Sequence, residues 1–419
     1  MGYRPRIADG LLDRNLRAAG AVLIEGPRAC GKTATAQHRA SSAVLLDSDE
    51  DALALAGVAP RVVLDGDAPR LVDEWQLAPR LWNHVRRAVD DRQARGQFIL
   101  TGSATPADDA TRHSGAGRIM RMRMRTMSLF ESGHSSGTVS LAALLGGEAL
   151  EPTRSGLALP EVVARVVSGG WPGLQDLSPS DSQAAMLSYL NDVARVDVLG
   201  ADTSVARRDP SRIARMLQSY ARHIATSASS ATIARDTSRD GEVPLDPHTI
   251  GDYLRALERI WVVDEQPSWG PHLRSRDVVR RAAVRHFVDP SLAAAALGAG
   301  PDRLLRDPRT LGLLFESLVV RDLRIYAQPL DGEVRHYRDS AGTEADAVVQ
   351  LPDGRWALVE VKLSAGQVDA AAASLTKLAH KIDTSRVGEP SARIVITAGE
   401  YAYTREDGIH VVPLACLGP

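Results

Sequence analysis

"AVLIEGPRACGKTATAQ", residues 21–37, decides how the rest of the chain is read. The run 21–25 is apolar up to its final glutamate and predicts a strand buried on both faces. "GPRACGKT" then fits G-x-x-x-x-G-K-[ST], with Gly26, Gly31, Lys32 and Thr33 at the fixed places, and "TATAQHRA" predicts a helix. Glycines let backbone N–H groups curl around a phosphate with no Cβ in the way, and the helix start adds partial positive charge. Lys32 is placed to reach the β- and γ-phosphates of ATP, and Thr33 to ligate Mg²⁺. The expected nucleotide site is the whole loop: Gly26, Pro27, Arg28, Ala29, Cys30, Gly31, Lys32, Thr33 and Ala34. Cys30 reads as an incidental small residue rather than a redox switch.

Further apolar runs at 42–49, 69–75, 96–104 and 118–125 alternate with helical stretches, the pattern of a parallel sheet covered on both faces. The last alternates Met with Arg and predicts an edge strand. "PRLVDEWQ" (69–76) ends its run in Asp73 and Glu74. Asp73 is expected to hold Mg²⁺ through water, and Glu74 to polarise the attacking water. Thr101 and Ser103 in "FILTGSA" (98–104) stand at a strand end, where a polar side chain can sense the γ-phosphate. A strand between the loop strand and the acidic strand, with Glu beside Asp, resembles the AAA-type ATPases. Those enzymes take an arginine from a neighbouring subunit. "ATRHSGAGRIMRM" offers Arg112 and Arg118, of which Arg118 is the candidate.

Lysine is scarce. Lys and Arg total 50, and the only lysines are Lys32, Lys362, Lys377 and Lys381. Lys362 closes "GRWALVEVKL" (354–363), two residues after Glu360, so both point to one face of a strand. Asp346 comes from the preceding strand through the turn "PDG", and Glu316 lies on the helix before. Two carboxylates and an ammonium then converge, with Glu316 able to complete the acidic set. Such a cluster can bind a second Mg²⁺ or Mn²⁺ and stabilise charge on a phosphate. The order helix, strand, strand with Asp, strand with E-x-K, helix matches the restriction-endonuclease-like nucleases.

The expected class is α/β: an ATPase domain at 1–135, a helical region at 136–305, and a nuclease-like domain at 306–419. Within the middle, residues of about 210–270 read as a winged helix, with Arg255 and Arg259 as phosphate contacts offset by Asp252 and Glu258. "ESGHSSGTVS" (131–140) reads as a mobile connection. Net charge is −2, so no global positive field advertises nucleic acid. Two cysteines, Cys30 and Cys416, supply no disulfide framework and suit a reducing cytoplasm. No apolar h-region opens the chain and no run of about 18 apolar residues occurs, so neither secretion nor a membrane partner is expected.

Together, "GPRACGKT", "LVDEWQLAPRLW", "FILTGSA", "GAGR", "SGGWPGL", "HFVDPSL", "LFESLVVRDLRIYA" and "EADAVV…LVEVKL" resemble a prokaryotic family. Its members join an N-terminal AAA-type ATPase to domain of unknown function 4143. The resemblance implies Lys32, Thr33, Asp73 and Glu74 as the nucleotide site, and Asp346, Glu360 and Lys362 as a nuclease-type site. The aromatic usual after that Asp is here Ala347, a packing change that removes no ligand. Two functions follow as expectations. One is a Mg²⁺-dependent ATPase that binds and processes DNA as a homo-oligomer, with a hexamer as one form. The other is a nucleotide-switched scaffold acting on a protein partner.

Overall fold

The computed structural model describes residues 2–104, 114–197, 209–238, 244–271, 282–339 and 341–419. Arg112 lies outside them. The described residues form two compact units. One takes residues from 1–126 and 255–262, the other from 127–195, 209–254 and 263–419.

In the first unit each apolar run becomes a strand: β1 Ala21–Glu25, β2 Ser42–Leu45, β3 Arg70–Asp73, β4 Phe98–Gly102 and β5 Ile119–Arg123. The order is β2-β3-β4-β1-β5 and every pairing is parallel. The helices are α1 Ile7–Ala18, α2 Lys32–Gln37, α3 Glu50–Val58, α4 Pro60–Val63 and α5 Leu81–Arg92. Residues alternate between two buried layers. Ala21 and Leu23 join Trp75, Trp82 and Val85 in one core; Val22 and Ile24 join Leu12, Ala36 and Met122 in the other. This two-sided burial is why β1 and β4 carry unbroken apolar runs. β5 is an edge strand, as its Met/Arg alternation suggests. Met122 is buried and Met120 exposed. Arg121 pairs with Glu25 at 2.8 Å and lies over the Trp82 ring.

The second unit holds a seven-stranded mixed sheet. Its strands are β7 Thr153–Arg154, β8 Glu333–Arg338, β9 Glu344–Gln350, β10 Trp356–Lys362, β11 Ala392–Thr397, β12 Tyr401–Thr404 and β13 His410–Pro413, in the order β7-β12-β13-β11-β10-β9-β8. β8, β9 and β10 form an antiparallel meander, and β11 returns parallel to β10. Helices are α6 Leu141–Leu145, α7 Leu159–Ser168, α8 Pro179–Asp192, α9 Pro210–Arg222, α10 Ser230–Asp236, α11 Pro247–Arg259 (its residues from 255 on counted with the first unit), α12 Pro290–Ala296, α13 Pro301–Leu305, α14 Pro308–Ala327 and α15 Val368–Lys381. α14 packs on β8, β9 and β10, and also on α7 and α12. α9, α10 and α11 are followed by antiparallel bridges, Val263 to Phe287 and Gln266 to Val284.

Residues 131–140 are not a free connection. Ser132 Oγ donates to the Ser128 carbonyl at 2.9 Å, and Ser135 Oγ to the Leu417 carbonyl at 2.6 Å. Val139–Ser140 (β6) pairs in parallel with Leu417–Gly418 (β14). The small polar residues supply hydrogen bonds that a remote part of the chain takes up.

The motifs "SGGWPGL", "HFVDPSL" and "VVRDLRIY" meet in one buried network. Asp289 accepts from the Gly170 N–H at 3.0 Å and from Arg321 at 2.9 Å. Arg321 also donates to Asp322 at 2.8 Å, and Asp322 accepts from the Leu129 N–H at 2.9 Å. Both aspartates are fully buried. Removing the arginine strands two desolvated carboxylates. Arg321→Ala should destabilise the protein by about 3–5 kcal/mol, read as a shift of the urea midpoint; a shift under about 1 kcal/mol would contradict this account.

Candidate functional site

Two glycines let the phosphate loop take its shape. A Cβ on Gly26 would lie 2.1 Å from the Met124 carbonyl oxygen, and Gly31 sits at φ +102° just before α2. Lys32 is buried, and its Nζ donates to the Gly26 and Pro27 carbonyls at 3.0 and 2.8 Å, inside the curl of the loop. Thr33, on the first turn of α2, donates to the Asp73 carboxylate at 2.9 Å. Burial pushes the Asp73 carboxyl up, and the Thr101 and Thr33 hydroxyls act against that. A hydroxyl and a carboxylate side by side are the hard oxygen donors that Mg²⁺ takes.

Thr101 and Ser103, the residues expected to sense the γ-phosphate, bond to the two acids. The Thr101 hydroxyl donates to Asp73 and accepts from the Glu74 N–H at 3.2 Å. Ser103 Oγ donates to Glu74 at 2.9 Å. Both brace the acids. Glu74 has left-handed backbone, φ 52° and ψ 45°, a conformation non-glycine residues adopt at a cost. It turns the chain sharply at the end of β3. Arg118 pairs with Asp90 on α5 at 2.8 Å.

Sequence reading missed Arg6. Its guanidinium donates to the Cys30 carbonyl at 2.8 Å and to the Arg125 carbonyl at 3.0 Å, bracing the phosphate loop from outside. Arg6 sits in a charged N-terminal stretch with no motif to mark it. Cys30 itself is fully buried.

In the second unit, Asp346, Glu360, Lys362 and Glu316 come together. Lys362 Nζ donates to Glu360 at 2.8 Å and lies 3.6 Å from Asp346. The β9–β10 ladder ends at the Val359–Ala347 pair; beyond it, the Asp346 side chain accepts the Val361 N–H at 2.7 Å. Burial raises the Glu360 carboxyl, with Asp346 adding to the effect. Burial, then Asp346, also holds the Glu316 carboxyl well above the usual range. Among the described residues, no group of three or more His, Cys, Asp or Glu is arranged to hold a metal, so the set Asp346, Glu360 and Glu316 is not preformed. Lys362 already supplies positive charge beside Glu360, and burial raises the Glu360 and Glu316 carboxyls.

A buried relay positions this cluster. Gln266 Nε2 donates to the Asp346 carbonyl at 3.0 Å. Gln266 Oε1 lies 3.3 Å from His286 Nε2, and His286 Nδ1 lies 3.1 Å from the Ser317 hydroxyl. Burial holds the His286 pKa down to about 3, against 6.5 for a free histidine. The folded state therefore keeps His286 neutral while an unfolded chain takes up the proton. Its stabilising contribution is complete above pH 6.5 and is lost as pH falls towards 3. Between pH 7 and 5 the loss should be about 2 kcal/mol. Thermal denaturation of wild type and His286→Gln across that range would test it; equal slopes would refute the assignment.

Residues 18–132 match the family described as an AAA domain. Residues 160–303 match a domain of unknown function, DUF8612, and 311–417 another, DUF4143. Two uncharacterized proteins, of Mycobacterium tuberculosis and Mycobacterium bovis, are each 25% identical over 418 residues, covering 97% of this chain and 83% of theirs. Among solved structures, the replication initiator DnaA bound to AMPPCP and single-stranded DNA is 15% identical. It covers 62% of this chain and 89% of that one, with a TM-score of 0.27, too low to carry a conclusion. AMPPCP-bound DnaA from Aquifex aeolicus gives the same values. No helix among the described residues is long and apolar enough to cross a membrane. The chain is an α/β protein that joins an N-terminal AAA domain, carrying a P-loop, to a C-terminal DUF4143 domain.

Proposed function

We propose that this protein hydrolyses ATP with Mg²⁺ and uses it to act on DNA, with Asp346, Glu360 and Lys362 as a phosphodiester site. The carrying observation is the Thr33 hydroxyl 2.9 Å from the Asp73 carboxylate, beside the loop that holds Lys32. Thr33 and Asp73 would hold Mg²⁺, which neutralises phosphate charge. Lys32 leaves its two carbonyl partners to bind the β- and γ-phosphates. Glu74 takes a proton from the attacking water. Arg118, freed from Asp90, completes the site of a neighbouring copy.

For the C-terminal part, the convergence of Lys362 on Glu360 at 2.8 Å and on Asp346 at 3.6 Å, past the last pair of the β9–β10 ladder, supports the reading. Lys362 would stabilise charge developing on the scissile phosphate. The steady-state ATPase rate with and without DNA, across salt, tests the DNA reading. Stimulation that falls as salt rises is expected; no stimulation at low salt points instead to a nucleotide-switched scaffold with a protein partner. Light scattering of Glu74→Gln should show ATP-dependent assembly, and a species of 45.0 kDa with and without ATP would rule it out.

A further inference from the structure

The residue next to the phosphate chemistry that remains unexplained is Gln76. Directly after Glu74 the chain folds into a single 3₁₀ turn, Trp75–Leu77, which brings Gln76 back beside the Glu74 side chain. Gly102 on β4 makes this possible. A Cβ there would lie 2.9 Å from Trp75 Nε1 and 3.1 Å from Gln76 Oε1. Gln76 Nε2 donates to Glu74 Oε2 and also reaches Ser103 Oγ at 3.2 Å, while Ser103 Oγ donates to the same Glu74 oxygen. The three side chains close a ring of hydrogen bonds around one carboxylate oxygen. The other, Glu74 Oε1, has no part in that ring.

Gln76 Oε1 is buried and has no hydrogen-bond partner. An unpaired buried carbonyl is a cost that an apolar side chain of the same length would avoid. Packing alone therefore favours methionine here. What glutamine adds is the donor on Glu74.

We propose that Gln76 is a positioning residue for ATP hydrolysis. Together with Ser103 it fixes Glu74 Oε2, and so aims Glu74 Oε1 at the attacking water. This rests on the assignment of Glu74 as the base. Gln76 makes its hydrogen bonds to Glu74 and Ser103 and none to the phosphate loop or the Thr33–Asp73 pair, so it governs the chemical step and leaves nucleotide binding alone.

The test is Gln76→Met in the full chain, with Ser103→Ala beside it. Gln76→Met should fold with a melting temperature equal to or above wild type. Its kcat should fall on the order of 10- to 100-fold, as for a misplaced catalytic group, with KM and the Kd of a fluorescent ATP analogue unchanged. In a Glu74→Gln background the same change should have almost no further effect on the residual rate. A merely structural Gln76 would give the opposite pattern: a lowered melting temperature and an unaltered kcat in the folded fraction. Wild-type kcat in Gln76→Met, or an equal fall in both backgrounds, overturns the inference while leaving the ATPase reading intact. A wild-type protein that hydrolyses no ATP overturns both.

Discussion

Glu74→Gln keeps ATP binding and lowers its hydrolysis by a factor on the order of 10² to 10⁴, the span that a positioned general base contributes. The substitution changes charge and little else. Glutamine has the same length, and its amide oxygen can still accept from Gln76 and Ser103, the two donors on Glu74. The left-handed backbone at position 74 is retained, since the turn after β3 is fixed by Trp75, which is buried. The groups expected to hold the phosphates, Lys32 and the loop N–H groups, are untouched. Lys32→Ala should do the converse and abolish binding itself. Single-turnover hydrolysis and equilibrium binding of a fluorescent nucleotide separate the two variants. Wild-type hydrolysis by Glu74→Gln would remove Glu74 from the chemistry.

The second large effect is expected at Lys362. Lys362→Ala should abolish any DNA cleavage while leaving Mn²⁺ binding intact or tighter, because an ammonium 2.8 Å from Glu360 competes with a dication. Asp346→Ala should weaken Mn²⁺ binding strongly. Lys362→Arg discriminates best. An arginine satisfies a structural ion pair, but its broad fork does not replace a compact ammonium against a phosphate. The measurements are Mn²⁺ calorimetry and nicking of plasmid and single-stranded DNA. If wild type binds no Mn²⁺ and cuts neither substrate, the C-terminal reading fails and Lys362 is half of an ion pair.

Most of the first unit is legible in the sequence, because its signals are local. A buried parallel strand needs an apolar run, a phosphate loop needs its glycines, and both lie within a few residues of each other. The pairing of Glu360 with Lys362 follows from strand period alone. What escaped was carried by distance. The bonds of Thr101 to Asp73 and of Ser103 to Glu74 were not legible, because nothing in "FILTGSA" tells which acid a neighbouring strand presents. Gln76 was invisible because its role depends on a turn that only Gly102, 26 residues on, makes room for. Asp289, Arg321 and Asp322 lie in segments that carry the family resemblance, but their mutual burial comes from packing that no window of sequence contains. Residues 131–140 looked idle for the same reason.

The β6–β14 pair carries a consequence for how the protein is made. The ribosome releases the five strands of the parallel sheet within the first 123 residues, in one contiguous stretch that can pair as it emerges. The second unit has no such option. Gly170 waits for Asp289, Leu129 waits for Asp322, and Val139 waits for Leu417. Until the last of these is synthesised, the helices after Met127 lack the partners that bury their polar groups, and contacts of such sequence separation form late. A chain cut short near residue 300 should therefore carry a finished phosphate loop on an otherwise unfinished protein, holding nucleotide while exposing the apolar faces of α7 and α12 to chaperones and proteases.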